Sequence, residues 1–333
     1  MIVAGDIGGT HARLGLFELR EGALVLVTKR VYPSQKFKNL DAILQQFVAE
    51  LRPSTTAAAF GLAGPVKEGR VRTPNLPWEV DSRTLATVLG IGQVTLLNDL
   101  KALACGVELL GPADVVELNP GKEERGNRAV LAAGTGLGIA GLIWDGQRHQ
   151  PMATEGGHAD FAPRNALEAA LLLHLADRFG RVSNERILSG AGLVNVYEFL
   201  RDTKRGEEPD WLRQRLATGD RAKVISGCGL DRSSSLCSVA LDLFASIYGA
   251  VAGNLGLLFL ATGGIYLGGG IAPKVLARLQ DPALFRAAFL DKGRLGMVVE
   301  RMPVRVVLDD LVGLRGAAQV AAAATGRGIG GDV

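Results

Sequence analysis

A chain of 333 residues, 47% apolar and 21% charged, is long enough to bury two cores and has the balance of a globular protein, not a fibrous or disordered one. Its net charge of +3 is spread without a basic block, which gives no footprint for nucleic acid or a membrane surface. Three cysteines, Cys105, Cys228 and Cys237, without Cys-x-x-Cys spacing exclude a cysteine zinc site and suit a reducing, cytoplasmic compartment. Glycine is the anomaly. The 44 glycines cluster at the ends of apolar runs, where they read as tight turns. The chain opens on Ile2-Val3-Ala4 without a basic segment and long apolar run, so no secretory signal is expected. The longest apolar stretch, Tyr248 to Leu260, is broken by Gly249, Gly253, Asn254 and Gly256 and reads as too short to span a bilayer.

In chain order, Ile2 to Asp6 is a short apolar strand ending in a carboxylate and a glycine turn. Arg13 to Leu19 and Ala23 to Val31 continue it as a meander. Leu40, Ile43, Leu44, Phe47, Val48 and Leu51 recur at helical spacing. Thr56 to Leu62 is a strand, Asp81-Ser82 caps a helix to Leu89, Gln93 to Asn98 is a buried strand, and Leu100 to Leu109 is helical. A second cycle then repeats the opening pattern: a strand from Arg128 to Ala133, a glycine-threonine turn, and a strand from Ile139 to Trp144 closed by Asp145-Gly146. This suggests two related halves. The remainder is mostly helical (Ala166 to Phe179, Gly190 to Arg201, Pro209 to Thr218, Ser233 to Leu260). Strands Gly263 to Leu267 and Val304 to Leu308 interrupt it, and a last helix runs from Leu314 to Ala324.

Three glycine turns follow strands: Asp6-Ile7-Gly8-Gly9-Thr10, Gly134-Thr135-Gly136-Leu137-Gly138 and Gly268-Gly269-Gly270. Without side chains in the way, backbone N–H groups in such turns can approach phosphate oxygens, and Thr10 and Thr135 add hydroxyls. Asp6 beside the first turn suits a divalent cation reached through water. Gly136 to Gly141 formally matches Gly-x-Gly-x-x-Gly, but that fingerprint needs a helix to start in the turn, and a β-rich segment follows instead. Asn98-Asp99 places an amide beside a potential general base at a strand end. Glu155-Gly156-Gly157-His158 can present polar groups to a polyhydroxylated ligand. Metal ligation by Glu155, His158 and Asp160, or a structural role for His158, are the competing readings.

In this order, Gly5-Asp6-Ile7-Gly8-Gly9-Thr10, Leu97-Asn98-Asp99, Gly134 to Gly138, Glu155 to His158, Glu185-Arg186-Ile187-Leu188-Ser189-Gly190 and Leu267 to Ile271 resemble the motifs of the bacterial glucokinase family, within the actin-like sugar-kinase superfamily. No cysteine-rich zinc motif follows His158, so the resemblance is to the zinc-free branch. It implies an α/β fold of two actin-like (ribonuclease H-like) domains with a cleft between them. The small domain would take 1–111 with 301–322 and the large domain 112–300, with 323–333 as a flexible tail. It further implies ATP as cosubstrate, Mg²⁺ as cofactor, a homodimer, and phosphorylation of glucose at the 6-hydroxyl. Asp99 would be the base. Asn98, Glu155, His158, Glu185 and Asn75 would hold the sugar; Asp6, Gly8, Gly9, Thr10, Gly134, Thr135, Gly136, Gly268, Gly269 and Gly270 would hold the nucleotide and its metal. A kinase of another hexose and a nonenzymatic sugar sensor are the alternatives.

Overall fold

The computed structural model describes residues 1–74, 76–122 and 124–325. Asn75 and the tail beyond Thr325 therefore lie outside the described residues. The chain divides into two compact units, Met1–Ala113 with Asp309–Val333, and Asp114–Leu308.

The first unit opens with an antiparallel meander, β1 (Ile2–Ile7), β2 (His11–Arg20) and β3 (Ala23–Pro33). Helix α1 (Leu40–Leu51) follows, its first turn capped by the Asn39 side chain, which accepts the Ala42 N–H. Strand β4 (Ala57–Leu62) returns parallel to β1. A small sheet of β5 (Val66–Lys67), β6 (Arg70–Arg72) and β7 (Glu79–Asp81) comes next, then α2 (Ser82–Leu89) with Asp81 as its cap. Strand β8 (Val94–Asn98) pairs parallel to β4, and α3 (Asp99–Val107) leaves directly from its end. The sheet order is β3-β2-β1-β4-β8. Alternation along β1 decides which helices cover it: Val3 and Ile7 meet the core of Ile43, Leu44 and Phe47, while Ile2 and Ala4 meet that of Leu97, Leu314 and Ala317.

The second unit begins with β9 (Val115–Asn119), β10 (Arg128–Ala133), β11 (Leu137–Trp144) and β12 (His149–Ala153). Helices α4 (Ala166–Phe179), α5 (Gly190–Asp202), α6 (Asp210–Thr218), α7 (Arg221–Leu230) and α8 (Ser235–Phe259) follow. Strand β13 (Gly264–Gly268), the short helices α9 (Leu276–Leu279), α10 (Ala287–Leu290) and α11 (Gly296–Glu300), and β14 (Val304–Val307) complete it. The sheet order is β12-β11-β10-β13-β14-β9. Its first five strands repeat the first unit: an antiparallel meander, then two strands joined in parallel. The two related halves are thus a repeated topology, with β9 added antiparallel at one edge. Because β14 pairs in this sheet, the chain returns to the first unit at Asp309, as α12 (Val312–Ala323), and not at residue 301.

Two local outcomes follow from packing. The segment after Gly138 is strand β11, so the Gly-x-Gly-x-x-Gly match lacks the helix that a dinucleotide site needs. The apolar run around Tyr248 belongs to a 25-residue helix, long and apolar enough to cross a membrane by length and composition, which corrects the expectation that it is too short. Its apolar window is 78% buried inside the protein, and it serves as a core helix. The glycines do not break it. A Cβ at Gly249 would lie 2.1 Å from the Phe285 carbonyl oxygen, so glycine there permits a backbone approach that any side chain would block.

Candidate active site

In the first unit, register brings two of the sequence features to one edge of one sheet. Ile7 pairs with Leu62, and Leu62 with Asn98, so the Gly8–Thr10 turn and the Asn98-Asp99 pair both lie at the carboxyl ends of parallel strands. That edge is where open α/β sheets offer ligand sites. The turn is pinned by its Gly8 N–H, which donates to the His11 carbonyl at 2.9 Å, and by buried Ser34. The Ser34 Oγ donates to the Gly8 carbonyl at 2.8 Å and its N–H to the Thr10 carbonyl at 3.0 Å. No hydrogen bond between described residues uses the N–H of Gly9 or Thr10, so carbonyls are tied down and amides are left for an anion. Ser34 has no signal in the sequence, because its partners lie more than twenty residues away.

Asp6 sits just before this turn and forms an ion pair with Arg13, its cross-strand neighbour, at 3.1 Å. Burial pushes the Asp6 carboxyl above its usual range and nearby Asp310 adds to that, while Arg13 pulls it down. A Cβ at Gly313, in the first turn of α12, would lie only 3.7 Å from the Asp6 Cγ, so this helix start is against the carboxylate.

Asn98 and Asp99 divide the strand-to-helix junction between them. Asn98 caps α3: its Oδ1 accepts the N–H of Leu100 at 3.0 Å and of Lys101 at 3.3 Å, and its Nδ2 reaches the Gly64 carbonyl at 3.4 Å. Asp99 is the first residue of the helix, where the dipole's positive end suits an anionic side chain, and its Oδ1 accepts the Leu100 N–H at 2.8 Å. A Cβ at Gly61 would fall 3.6 Å from the Asp99 Cα and 2.9 Å from the Ala102 Cβ, so glycine in β4 lets α3 lie close on the sheet. Near this junction, Arg72, Thr73, Pro74, Leu76 and Pro77 line an open hollow of about 530 Å³.

The second unit gathers the remaining predicted residues. Ala132 pairs with Gly268, so the Gly134–Gly138 and Gly268–Gly270 turns are neighbours, joined where the Ile271 N–H donates to the Ala133 carbonyl at 3.2 Å. Gly269 has φ +79°, and a Cβ on it would lie 2.3 Å from that same carbonyl oxygen. The Gly134–Gly138 turn is closed by Gly134 N–H to Gly136 carbonyl at 2.8 Å, and the Gly190 N–H donates to the Gly134 carbonyl at 2.9 Å. Thr135, Gly269 and Gly270 are exposed.

Against this hairpin lies the Glu155–His158 loop. Glu155 precedes a single 3₁₀ turn, Gly156–His158, and its carbonyl accepts the His158 N–H at 3.0 Å. The Thr154 Oγ1 donates to Ile139 and accepts the Gly156 N–H, holding the loop on β11. Glu185, on the 3₁₀ turn Asn184–Arg186, places Oε1 3.9 Å from His158 Nδ1 and accepts the Leu137 N–H on Oε2 at 2.9 Å. Arg181, unremarked in the sequence, donates to the His158 carbonyl and pairs with Asp160. Polar side chains of this set, beside glycine turns, have the chemistry to hydrogen-bond a polyol.

Comparison with known proteins gives the family. The family model described as Glucokinase matches residues 3–324. A glucokinase of Nostoc punctiforme is 39% identical, the match covering 97% of this chain and 99% of its own. Among solved structures, a glucokinase from an Antarctic psychrotroph has a TM-score of 0.82 at 28% identity, covering 97% of this chain and 98% of its own. A Balamuthia mandrillaris glucokinase in complex with glucose has a TM-score of 0.80 at 23% identity, a likeness of fold, over 96% and 93%.

Proposed function

The chain belongs to the glucokinase family, with the α/β fold of actin-like sugar kinases and the ATP-dependent phosphorylation of glucose as its activity, and from that premise we propose how its residues divide the work. Asp99 takes the proton of the glucose 6-hydroxyl as that oxygen attacks the γ-phosphoryl group. Glu155, His158 and Glu185 hold other hydroxyls. Asn98 contributes its amide Nδ2 to the sugar while its Oδ1 caps α3, and Asn75 belongs to the same sugar-side set. The Gly8–Thr10, Gly134–Gly136 and Gly268–Gly270 turns take the nucleotide. Phosphoryl transfer needs positioning and charge neutralisation more than covalent help, which turn amides supply without reorganising.

Among the described residues no three His, Cys, Asp or Glu side chains gather into a ligand cluster. One carboxylate, with water and phosphate oxygens completing the shell, fits the way Mg²⁺ is usually bound. Asp6 is that carboxylate in this reading. Its pKa is raised chiefly by burial, so its ionised form is disfavoured in the protein alone, and a cation beside it would favour that form. When bound, Mg²⁺ would neutralise charge on the phosphates.

The observation that carries the base assignment is Asp99 at the start of α3, on the same sheet edge as the Gly8–Thr10 turn. Asp99→Asn should keep its fold and its glucose affinity by calorimetry, while turnover, followed as ADP release, falls on the order of 10²-fold or more. Near-normal turnover in that variant would remove Asp99 from the role. Parallel assays with mannose, fructose and N-acetylated hexosamines define the sugar range. The active form is a cytoplasmic homodimer in this proposal, checked by sedimentation and cell fractionation.

A further inference from the structure

The Leu137 peptide lies where the phosphate turn meets the sugar-side residues. Its N–H donates to Glu185 Oε2 at 2.9 Å. Its carbonyl oxygen faces Gly157, where an added Cβ would lie only 1.9 Å away. One residue earlier, a Cβ at Gly136 would lie 2.5 Å from the same Glu185 oxygen. Leu137 is buried, and the Glu185 carboxylate is the acceptor its N–H faces. Glu185 itself is only partly buried, and its other oxygen points toward His158.

From this geometry we infer that Glu185 is a positioning residue for the nucleotide: its Oε2 holds the Leu137 amide and so sets the shape of the Gly134–Gly138 turn, while its Oε1 side faces the sugar. The inference rests on the reading above, in which that turn takes phosphate and Glu185 takes glucose. It adds that one carboxylate serves both substrates through its two oxygens. The turn has little else to keep its form. Gly134 and Gly136 carry no side chains to pack and Thr135 is exposed; where the turn enters β11, Leu137 is buried in the core and pairs with Ala133, and the bonds that close the turn are Gly134 to Gly136, Gly190 to Gly134 and Leu137 to Glu185. Losing the last leaves the strand pairing in place but removes the one of these bonds that fixes how the Leu137 amide, and the Gly136-Leu137 peptide with it, is oriented at the end of the turn.

The test measures binding of a non-hydrolysable ATP analogue with Mg²⁺ in the absence of glucose, by calorimetry, so that no contribution from bound sugar enters. Glu185→Ala should weaken the analogue on the order of tenfold, the range expected for losing a charge-assisted bond to a buried donor. Glu185→Gln should bind it nearly as wild type does, because the carboxamide oxygen accepts the same N–H. Both should bind glucose more weakly. Glu185→Asp, which keeps the charge but is one methylene too short to hold the Leu137 N–H, should reproduce the loss of analogue affinity, and it answers the question if Glu185→Ala does not fold. Unchanged analogue affinity in a folded Glu185→Ala would overturn the inference, as would an equal loss in Glu185→Gln. The two claims separate cleanly. Weakened glucose with unchanged analogue leaves the glucose role standing and removes the positioning role, and the reverse pattern does the opposite.

Discussion

Gly316→Ala tests how Asp99 is held in place. On α12, an added Cβ at Gly316 would lie 1.8 Å from the Ala102 carbonyl oxygen and 2.5 Å from the Gly106 nitrogen, and Gly106 in turn has the Val312 carbonyl oxygen 1.9 Å from its own Cβ position. Helices α3 and α12 therefore touch backbone to backbone. Alanine would normally stabilise a helix interior by up to about 1 kcal/mol over glycine. Here the backbones must separate by more than an ångström, and overpacking of this kind costs about 1–3 kcal/mol or more. The clash wins, and the melting temperature should fall by several degrees, at roughly 2–4 °C per kcal/mol. Because Asp99 is the first residue of α3, moving the helix moves the proposed base, and a misplacement of about 1 Å can cost as much as 10²-fold in rate. Thermal melts and ADP release well below the melting temperature read the two effects separately. The internal control is Gly227→Ala in α7, where nothing lies within 4 Å of the added Cβ, so the propensity gain should appear uncancelled. A Gly316→Ala protein at least as stable as wild type, with unchanged turnover, would refute the argument.

Two further outcomes are expected. Gly269→Ala combines a positive φ with a Cβ 2.3 Å from the Ala133 carbonyl oxygen, so it should weaken ATP far more than glucose, read as separate dissociation constants; equal weakening would separate this turn from the nucleotide. Glu198 is paired with Arg178 and Arg221, each at 2.8 Å. Burial tends to raise its pKa, but the two arginines outweigh it and hold the carboxyl below its usual value. The sign follows: this stabilisation is present above the unfolded glutamate pKa and is lost as pH falls through the lower folded value. Glu198→Gln should therefore be less stable near neutral pH, with the gap to wild type closing on acidification in denaturant titrations; a gap independent of pH would contradict the assignment.

Much of this was readable because the physics involved is local. The spacing of Leu40, Ile43, Leu44 and Phe47 needs no distant partner to declare a helix, and Asp81 declares its cap just before α2. The glycine turns were legible for the same reason. What escaped depends on segments far apart in the chain or on weak pattern. Strand β12 is a half-exposed edge strand, and α7 carries Gly227 and Gly229 with little amphipathic signal. Ser34, Gly61 and Gly316 matter only through what folding brings to them. Asn98 was legible as an amide at a strand end, but its Oδ1 turned out to be committed to capping α3, because the helix starts one residue sooner than periodicity indicated.

The repeated topology shows how the two halves differ at the residue proposed as the base. Strands β1 and β10 each end in a glycine-threonine turn with carbonyls tied down, so the turn proposed to take phosphate is present twice. Strands β8 and β14 occupy equivalent places in the two sheets, but their exits differ. At β8 the helix begins at once, and the cap by Asn98 together with close packing at Gly61 fixes Asp99 within the first turn. At β14 the chain instead runs through Leu308 to Asp309, whose Oδ1 accepts the Leu311 N–H, before α12 starts at Val312. Asp309 in that longer exit precedes the helix and is also ion-paired with Arg315 at 2.8 Å, and α12 contributes contacts: Gly313 against Asp6, Gly316 against α3. The short exit thus fixes the proposed base at the start of α3, and the long exit leads into the helix that packs against α3 at Gly316.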